Sequence, residues 1–337
     1  MKKILSVIVT VIVLVVLALS FAACGSAGTV QIKYYSNGSE MLPMLKQGKI
    51  SYGILPEPAA TQITKIAPDK TWYRLDMQEL YDKGEKAYPQ AVLLIKESLL
   101  ATHPEVVTAF SEGVDAGVSW AKNNLSEAVL AINSNLEAGV TPSFSTGNLT
   151  ANVIDGCKVY YESAAAAKQS VKNYIDRIIE VADEATVPAV KPADDFFFDT
   201  TETLAGSYSG DTIKVFCPDG APALALAKLI NDKSDLNTGL NVEYNIVSAT
   251  SIGSKAGLAD ILILPVNAAT KIYNRGASAY KTVAIVTHGN LYLVSTERVE
   301  IKDLKDKVVG VIGQGLVPDL TFKAILKANN MESVIAG

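Results

Sequence analysis

Four loops in this sequence carry the residue types that bind small ligands at strand ends. Each follows an apolar run, precedes a helical pattern, and consists mainly of small, polar or proline residues. The loops are Pro218-Asp219-Gly220-Ala221, Pro265-Val266-Asn267-Ala268, Gly313-Gln314-Gly315-Leu316-Val317 and Ser36-Asn37-Gly38-Ser39-Glu40. In open parallel sheets, ligands bind beyond the carboxyl ends of strands, where free helix N–H groups favour an anion or a carbonyl. We expect two loops from each half of the protein to face one cleft.

The same residue types also have a purely structural explanation. Gly, Asn and Ser are ordinary turn and capping residues, and any one of them alone is explained in that way. Glu57 is either a ligand or hinge contact, or a first-turn helix residue beside Pro58. His288 is either a ligand donor or a hinge residue, whereas His103 is expected at a surface helix start. The binding interpretation therefore depends on the four loops acting together.

Catalytic patterns are absent from the sequence. The chain has two histidines, and it contains no G-x-S-x-G, H-E-x-x-H or G-x-x-x-x-G-K-[ST] pattern. The run that starts at Gly313 lacks the third glycine of a dinucleotide fingerprint. We therefore expect neither an enzyme nor a metal or cofactor site. The predicted ligand is small and weakly charged or planar, held by backbone N–H, Asn and hydroxyl groups.

The bulk composition is that of a globular protein. Of the 337 residues, 49% are hydrophobic and 19% are charged, and this length is enough for two domains or one bilobed unit. The net charge is −5 and no cluster of Lys and Arg is present. A nucleic-acid partner is therefore not expected, because it normally requires a basic face.

The first two dozen residues have the pattern of a secretory signal. Two lysines precede a long apolar run, and two alanines precede Cys24. This ending resembles the bacterial lipobox, whose cysteine is acylated. We predict a signal peptide over 1–24, lipidation at Cys24 and a location at the outer face of the cytoplasmic membrane. The alternative is an uncleaved anchor, since about 18 apolar residues can span a bilayer.

The two other cysteines, Cys157 and Cys217, have neither a CxxC partner nor the spacing of zinc ligands. We predict two buried free thiols, with a disulfide between them as the alternative.

Apolar runs and helical patterns alternate along much of the chain. Strands are predicted at 29–35, 50–56, 212–216, 241–247, 259–265 and 305–313, with β-rich runs on both sides of 287–290. Helices are predicted at 104–124 with Thr102 as N-cap, at 221–230, at 267–276 with Asn267 as N-cap, and at 320–330. The rest of the first half is predicted to be helical. This alternation indicates βαβ units and a parallel sheet.

The order of these elements is unusual. The helix at 320–330 needs a following parallel strand, but no strand is predicted before Gly337, whereas the strand at 29–35 lacks a preceding helix. Joining the two ends completes a helix–loop–strand unit. We interpret the order as a circular permutation in which residues 200–210 link an original C-terminus near Asp199 to an original N-terminus near Asp211. The alternative is a truncated chain with an unrelated N-terminal domain.

In the restored order, nearly the whole exported part resembles the nitrate/sulfonate/taurine-type substrate-binding proteins of ABC importers. The stretches that carry the resemblance are "ADILILPVNAATKIYNRG", "DLKDKVVGVIGQGLVPDLTFKAIL", "GSEMLPMLKQGKISYGILPEPAATQ", "THPEVVTAF" and "PADDFFFD". The second stretch departs from the family pattern, because Asp306 replaces the usual glycine. Each motif alone is weak, and the five together are fairly specific.

The resemblance implies an α/β, two-lobed, type II periplasmic-binding-protein-like fold, in which each lobe is a mostly parallel sheet flanked by helices. The predicted lobes are 29–155 plus 298–337, and 156–297. The implied function is capture of a small organic molecule or anion (nitrate, sulfonate, taurine or pyrimidine-like) by a monomer, for delivery to an ABC permease. The alternatives are a same-fold enzyme of cofactor-precursor metabolism and a ligand-sensing ectodomain.

Overall fold

A computed structural model describes residues 28–82, 88–182, 190–276 and 279–337. Its strands are β1 (Gly28–Tyr35), β2 (Tyr52–Pro56), β3 (Tyr73–Asp76), β4 (Ala91–Lys96), β5 (Val159–Ser163), β6 (Thr212–Pro218), β7 (Asn241–Val247), β8 (Ile261–Pro265), β9 (Tyr280–Thr287), β10 (Leu291–Ser295), β11 (Val308–Ile312) and β12 (Met331–Ile335). The predicted signal peptide and Cys24 lie outside the described residues.

The α-helices of the described residues connect and cover these strands. They are α1 (Gly38–Lys46), α2 (Ala59–Ile66), α3 (Met77–Asp82), α4 (Glu97–Thr102), α5 (Glu105–Asn123), α6 (Leu125–Asn133), α7 (Ala151–Gly156), α8 (Ala164–Ile179), α9 (Ala221–Leu224), α10 (Ala227–Asn231), α11 (Val266–Asn274) and α12 (Val317–Ala328). Among the described residues, no helix combines the length and apolar character needed to cross a bilayer.

The strands form two six-stranded sheets. Sheet I has the order β12-β1-β11-β2-β10-β3, and sheet II has the order β5-β9-β4-β8-β6-β7. In sheet I only β10 runs against the other strands, and in sheet II β4 and β5 are reversed. The predicted α/β class, with two sheets flanked by helices, is confirmed. Sheet II is more mixed than predicted, because β4 is inserted between β8 and β9.

The chain crosses between the sheets at two places. It leaves sheet I after β3 and enters sheet II at β4, and it returns to sheet I between β9 and β10. An apolar cluster joins the two sheets and includes Ile54 and Val311 of sheet I with Leu264 and Ile285 of sheet II. Burial of these strands from both faces explains why their sequences are nearly continuous apolar runs.

Most strand predictions are confirmed, but several others are wrong. The 221–230 segment forms two short helices, because its residues are buried on nearly every side and packing overrides a single helical face. β4 and β5 lie in a region predicted to be helical, since short apolar runs lack a decisive period. The N-caps of α5 and α11 are Pro104 and Pro265, in place of Thr102 and Asn267.

Sheet membership also divides the chain at positions other than the predicted lobe boundaries. β4 and β5, with the helices between them, belong with β6 to β9, whereas β10 belongs with β11. The reason is the pair of crossings, each of which delivers a reversed strand into the opposite sheet.

β1 fills the position beside β11, although the two strands come from opposite ends of the chain. It pairs in parallel with β11, where Tyr35 faces Ile312, and with β12, where Val30 faces Ser333. A strand therefore does follow α12, contrary to the prediction. It lies at the sheet edge because β1 occupies the inner position. The circular permutation itself stays a prediction.

The predicted link at 200–210 is docked on sheet II without forming regular secondary structure. Leu204 and Tyr208 pack against the apolar cluster of that sheet. The Tyr208 hydroxyl oxygen lies 2.8 Å from the carbonyl oxygen of Thr212 and 3.0 Å from Oδ2 of Asp260, and these two acceptors share its one proton. Burial and the nearby Asp260 carboxylate raise the pKa of Tyr208 to about 12.

We expect Tyr208→Phe to lower the free energy of unfolding by about 1–2 kcal/mol, because it removes the donor to Asp260 and keeps the ring. The measurement is urea denaturation. Tyr160→Phe is the matched control, since the Tyr160 side chain is 44% exposed. Equal stability of the two variants would show that the Tyr208 hydroxyl does not hold the segment.

Candidate functional site

Two of the predicted loops are neighbours at the carboxyl edge of sheet I. Because β1 pairs with β11, the loop after Tyr35 lies beside the loop after Ile312. The Gly313 N–H donates to the carbonyl oxygen of Tyr35 at 2.9 Å. Sheet pairing therefore brings together residues that are far apart in sequence.

The other two predicted loops follow adjacent strands of sheet II. β6 and β8 are parallel, with Phe216 opposite Leu262, so the turns at Asp219 and Pro265 leave the same edge of the sheet. The Asp219 N–H donates to the carbonyl oxygen of Val247, 2.8 Å away. Gly220 has a φ of 102°, a conformation that glycine adopts without strain.

Asn267 joins the two sheets. Its Nδ2 donates to the carbonyl oxygen of Gly315 at 3.4 Å, across the gap between α11 and α12. The residue is 6% exposed, and its Oδ1 has no hydrogen-bond partner among the described residues. Asn267 is thus a contact between sheets II and I, in place of the helix cap that was predicted.

Asp219 is held by a loop that sequence reasoning missed. Its Oδ2 accepts a hydrogen bond from the Ser143 N–H at 2.7 Å, and Asn148 Nδ2 donates to the Ser143 carbonyl oxygen at 2.9 Å. Oδ1 is buried without a partner among the described residues. Burial raises the pKa of Asp219, and the hydrogen bonds from Ser143 and Gly220 oppose that shift.

Glu57 lies in a buried contact between the sheets. Its carboxylate pairs with Arg74 at 2.5 Å and accepts from the Thr61 N–H at 3.0 Å. The Tyr292 hydroxyl donates to the carbonyl oxygen of Gly156 at 3.0 Å, and the Arg74 guanidinium lies 4.0 Å from the Tyr292 ring centroid. The Thr61 bond supports the helix-start interpretation of Glu57, and the remaining contacts make the group an interlobe latch.

His288 lies in the second crossing between the sheets. Its ring stacks on Tyr160 with a centroid separation of 3.6 Å, and its Nε2 is 3.0 Å from Oε2 of Glu162. The residue is 1% exposed. Burial lowers the pKa of His288, and the Glu162 carboxylate opposes that shift. These contacts support the hinge interpretation over a role as ligand donor.

The remaining predicted residues differ in accessibility. Ser36, Asn37, Ser39 and Gln314 are exposed. Pro218, Gly220, Ala221 and Gly315 are buried, whereas Pro265 and Gly313 are half-buried. Asn37 acts as a helix cap, because its Oδ1 accepts from the Glu40 N–H at 2.9 Å. The predicted site residues thus include exposed loop residues and buried turn residues.

Sequence reasoning missed several residues at this interface. Arg74, Gly156, Tyr292 and the 143–148 loop reach it only through folding, and their local sequences carry no binding pattern. Lys65 Nζ also crosses between the sheets to the carbonyl oxygen of Gly147 at 3.0 Å. The one usable signal in the sequence is the scarcity of arginine, which could have drawn attention to Arg74.

Two cavities lie away from the predicted loops. One, of about 360 Å³, is lined by residues that include Tyr73, Leu293 and Arg298, beside edge strand β3. The other, of about 460 Å³, is lined by residues that include Lys191 and Tyr273. Neither is lined by a predicted binding residue.

Cys157 and Cys217 are both free and buried, as predicted. Burial raises the pKa of each thiol well above its ordinary value. Within the described part of the chain, no group of three or more His, Cys, Asp or Glu residues is arranged to hold a metal ion.

Comparison with known proteins gives structural neighbours only. No family model and no curated protein matches the sequence. The oligopeptide-binding protein AppA of Bacillus subtilis, solved with a nonapeptide, is 10% identical, with a TM-score of 0.33 over 77% of this chain and 54% of its own. The binding protein AgaA of A. tumefaciens, solved with agropinic acid, is 12% identical, with a TM-score of 0.34 over 90% and 60%.

A further neighbour is NikZ of Campylobacter jejuni, solved with Ni(L-His), which is 13% identical, with a TM-score of 0.34 over 86% of this chain and 59% of its own. The chain therefore spans less than two thirds of the length of these proteins. At such identities and TM-scores, the likenesses assign neither a family nor a ligand to this chain.

We expect Gly156→Ala to disrupt the interlobe latch. A Cβ at this position would lie 2.9 Å from Cγ and Oε1 of Glu57, so the lobes must separate locally or Glu57 must move. The expected loss in the free energy of unfolding is about 1–3 kcal/mol, measured by urea denaturation. Gly147→Ala is the control, since its Cβ would meet only Ser145 Oγ at 3.8 Å. A loss of the same size in both variants would contradict the latch.

The lowered pKa of His288 predicts a pH dependence of stability. The folded state resists protonation of the ring, so stability is greatest above the unfolded pKa of about 6.5 and decreases as pH falls below it. His288→Gln should flatten this decrease between about pH 7.5 and 5.5, whereas His103→Gln should retain it. The measurement is the melting temperature against pH. Parallel curves for wild type and His288→Gln would refute the assignment.

Proposed function

We propose that this protein is the extracytoplasmic solute-binding component of an ABC importer. In this role it captures a small molecule between its two α/β lobes and delivers it to a permease. The proposal combines the sequence resemblance with the position of the four loops at the carboxyl edges of sheets I and II. The alternative function, a same-fold enzyme, lacks support because the described residues at these loops include no nucleophile paired with a base.

The observation that carries the proposal is the contact between Asn267 and Gly315. Asn267 lies in the first turn of α11, directly after β8 of sheet II, and Gly315 lies in the loop after β11 of sheet I, so their hydrogen bond of 3.4 Å joins the two sheets. The unpartnered Oδ1 atoms of Asn267 and Asp219 remain buried near these loops. Buried polar atoms without partners are uncommon in folded proteins, and a ligand enclosed by the loops would supply the missing hydrogen bonds.

The two crossings between the sheets fit a hinge. Few covalent connections join the lobes, and the segment at 288–290 includes positive φ angles at Gly289 and Asn290, both 88°. Domain closure around a ligand typically concentrates backbone changes in such short connections. The interlobe latch at Glu57 would then stabilise the closed arrangement.

The remaining parts of the proposal come from the sequence. Cys24 is the proposed lipidation site after a cleaved signal peptide, which anchors a monomer to the outer face of the membrane. Residues 200–210, within the proposed lobe 156–297, are the proposed join between the original C- and N-termini of a circularly permuted chain. The importer class implied by the resemblance takes nitrate, sulfonates, taurine or pyrimidine-like molecules.

The test is ligand recovery combined with thermal denaturation. The purified full chain is denatured, any released small molecule is identified by mass spectrometry, and the compound is added back to the emptied protein. At 100 times the Kd, a ligand adds about 2.7 kcal/mol of stability, which raises the melting temperature. A panel of nitrate, taurine, sulfonates, pyrimidines, amines and amidines is screened in parallel.

Asn267→Ala should weaken binding of the recovered or selected compound by about tenfold, the equivalent of one lost hydrogen bond. Asn231→Ala is the matched control, because Asn231 is exposed on α10. A folded protein that yields no ligand and responds to no compound would refute the binding role.

A further inference from the structure

Two backbone N–H groups just before helices of sheet I are bonded to carboxylates of the chain. The Ser36 N–H donates to Oε2 of Glu40 at 2.7 Å, and the Gly315 N–H donates to Oδ2 of Asp319 at 2.8 Å. Helix starts attract anions through the free N–H groups of the first turn and the positive end of the dipole. Ser36 and Gly315 precede the N-caps Asn37 and Leu316, so these carboxylates place negative charge beside the helix starts, where an external anion would bind.

A third carboxylate, Asp219, accepts a backbone N–H in the loop after β6. The Ser143 N–H donates to Oδ2 of Asp219, and no described Lys or Arg forms an ion pair with this carboxylate. Its Oδ1 is buried and without a partner among the described residues. A desolvated carboxylate that lacks a cation is costly, so Asp219 is arranged to receive a hydrogen-bond donor.

Two unpartnered amide oxygens lie at the loop after β8. Oδ1 of Asn267 lacks a donor, and the residue is 6% exposed. Oε1 of Gln90 lacks one as well, and the Gln90 backbone adjoins this loop, because its carbonyl oxygen accepts from the Val266 N–H at 2.9 Å. One carboxylate oxygen and two amide oxygens therefore have no hydrogen-bond donor where the strand ends of sheet II meet sheet I.

The charged residues near these loops also favour a ligand that donates hydrogen bonds and carries no negative charge. Arg74 is paired with Glu57, and Lys323 is paired with Asp319 at 3.1 Å. Glu40 and Asp219 form no ion pair with a described residue, and Lys65, whose Nζ donates to the Gly147 carbonyl oxygen, offsets one of these two charges, so the balance is negative by one charge. An oxyanion would meet carboxylates and carbonyl oxygens, whereas a cation would be attracted.

We propose that the cleft takes a small molecule whose recognised group is an N–H donor without negative charge, such as a protonated amine or an amidine, with Asp219 as its principal partner. This inference rests on the proposed binding function and narrows its ligand class. Asn267 and Gln90 accept further N–H groups of the same ligand. The nitrate and sulfonate ligands implied by the sequence resemblance are then disfavoured by the carboxylates beside the loops.

The test compares two sets of compounds on the full chain. The first contains metabolite-sized amines, amidines and amino-heterocycles, and the second contains carboxylates and sulfonates with matching carbon skeletons, together with nitrate. Thermal denaturation identifies binders, and calorimetry measures their Kd. We expect binders only in the first set. Stabilisation confined to the second set overturns this inference and leaves the binding function intact.

Asp219→Asn tests the assigned partner. It should raise the Kd of a binder by about 10- to 100-fold, the effect of a hydrogen bond to a charged group. It should also raise the melting temperature of the ligand-free protein, because it removes a buried charge. Asp232→Asn is the matched control, since Asp232 is paired with Lys228 on the surface.

Binders that tolerate Asp219→Asn as well as Asp232→Asn would overturn the assignment. If no compound of either set binds, the inference is also overturned, because the first set contains the proposed ligand class. The binding function is then judged separately, by whether the purified protein releases any small molecule on denaturation.

Discussion

The pairing of β1 between β11 and β12 is the constraint on which the rest of sheet I depends. Parallel strands cannot be joined by a tight turn, and here the central partner arrives from the opposite end of the chain. This pairing sets the loop after Tyr35 beside the loop after Ile312, linked by the Gly313 N–H. Without it, neither the edge position of β12 nor the carboxyl edge of the sheet would form.

The two crossings give the second constraint, because each carries one reversed strand into the opposite sheet. β4 is buried between β8 and β9, and β10 lies between β2 and β3. The lobes therefore share structure and are not independent halves. Contacts from Asn267 to Gly315 and around Glu57 then hold the facing surfaces together, while His288 packs in the crossing itself.

The carboxylates beside these loops differ in what positions them. The N–H groups just before α1 and α12 bind carboxylates from the first turns of the same helices. Glu40 lies four residues after Ser36, and Asp319 lies four residues after Gly315, so both bonds are local and visible in the sequence spacing. Asp219 differs, since its partner Ser143 is 76 residues away and only the folded chain leaves one of its oxygens buried and open.

The sequence alone determined the α/β class, the positions of most strands and the turns at Asp219, Pro265 and Gly313, because apolar runs and turn residues act over short distances. It did not reveal β4, whose uniform apolar run suits a strand or a buried helix equally, nor the strand after α12. Only the tertiary structure decided that Asn267 bridges the sheets and that Glu57 is a latch. Those roles depend on which surfaces are packed together, and long-range packing leaves no local pattern in the chain.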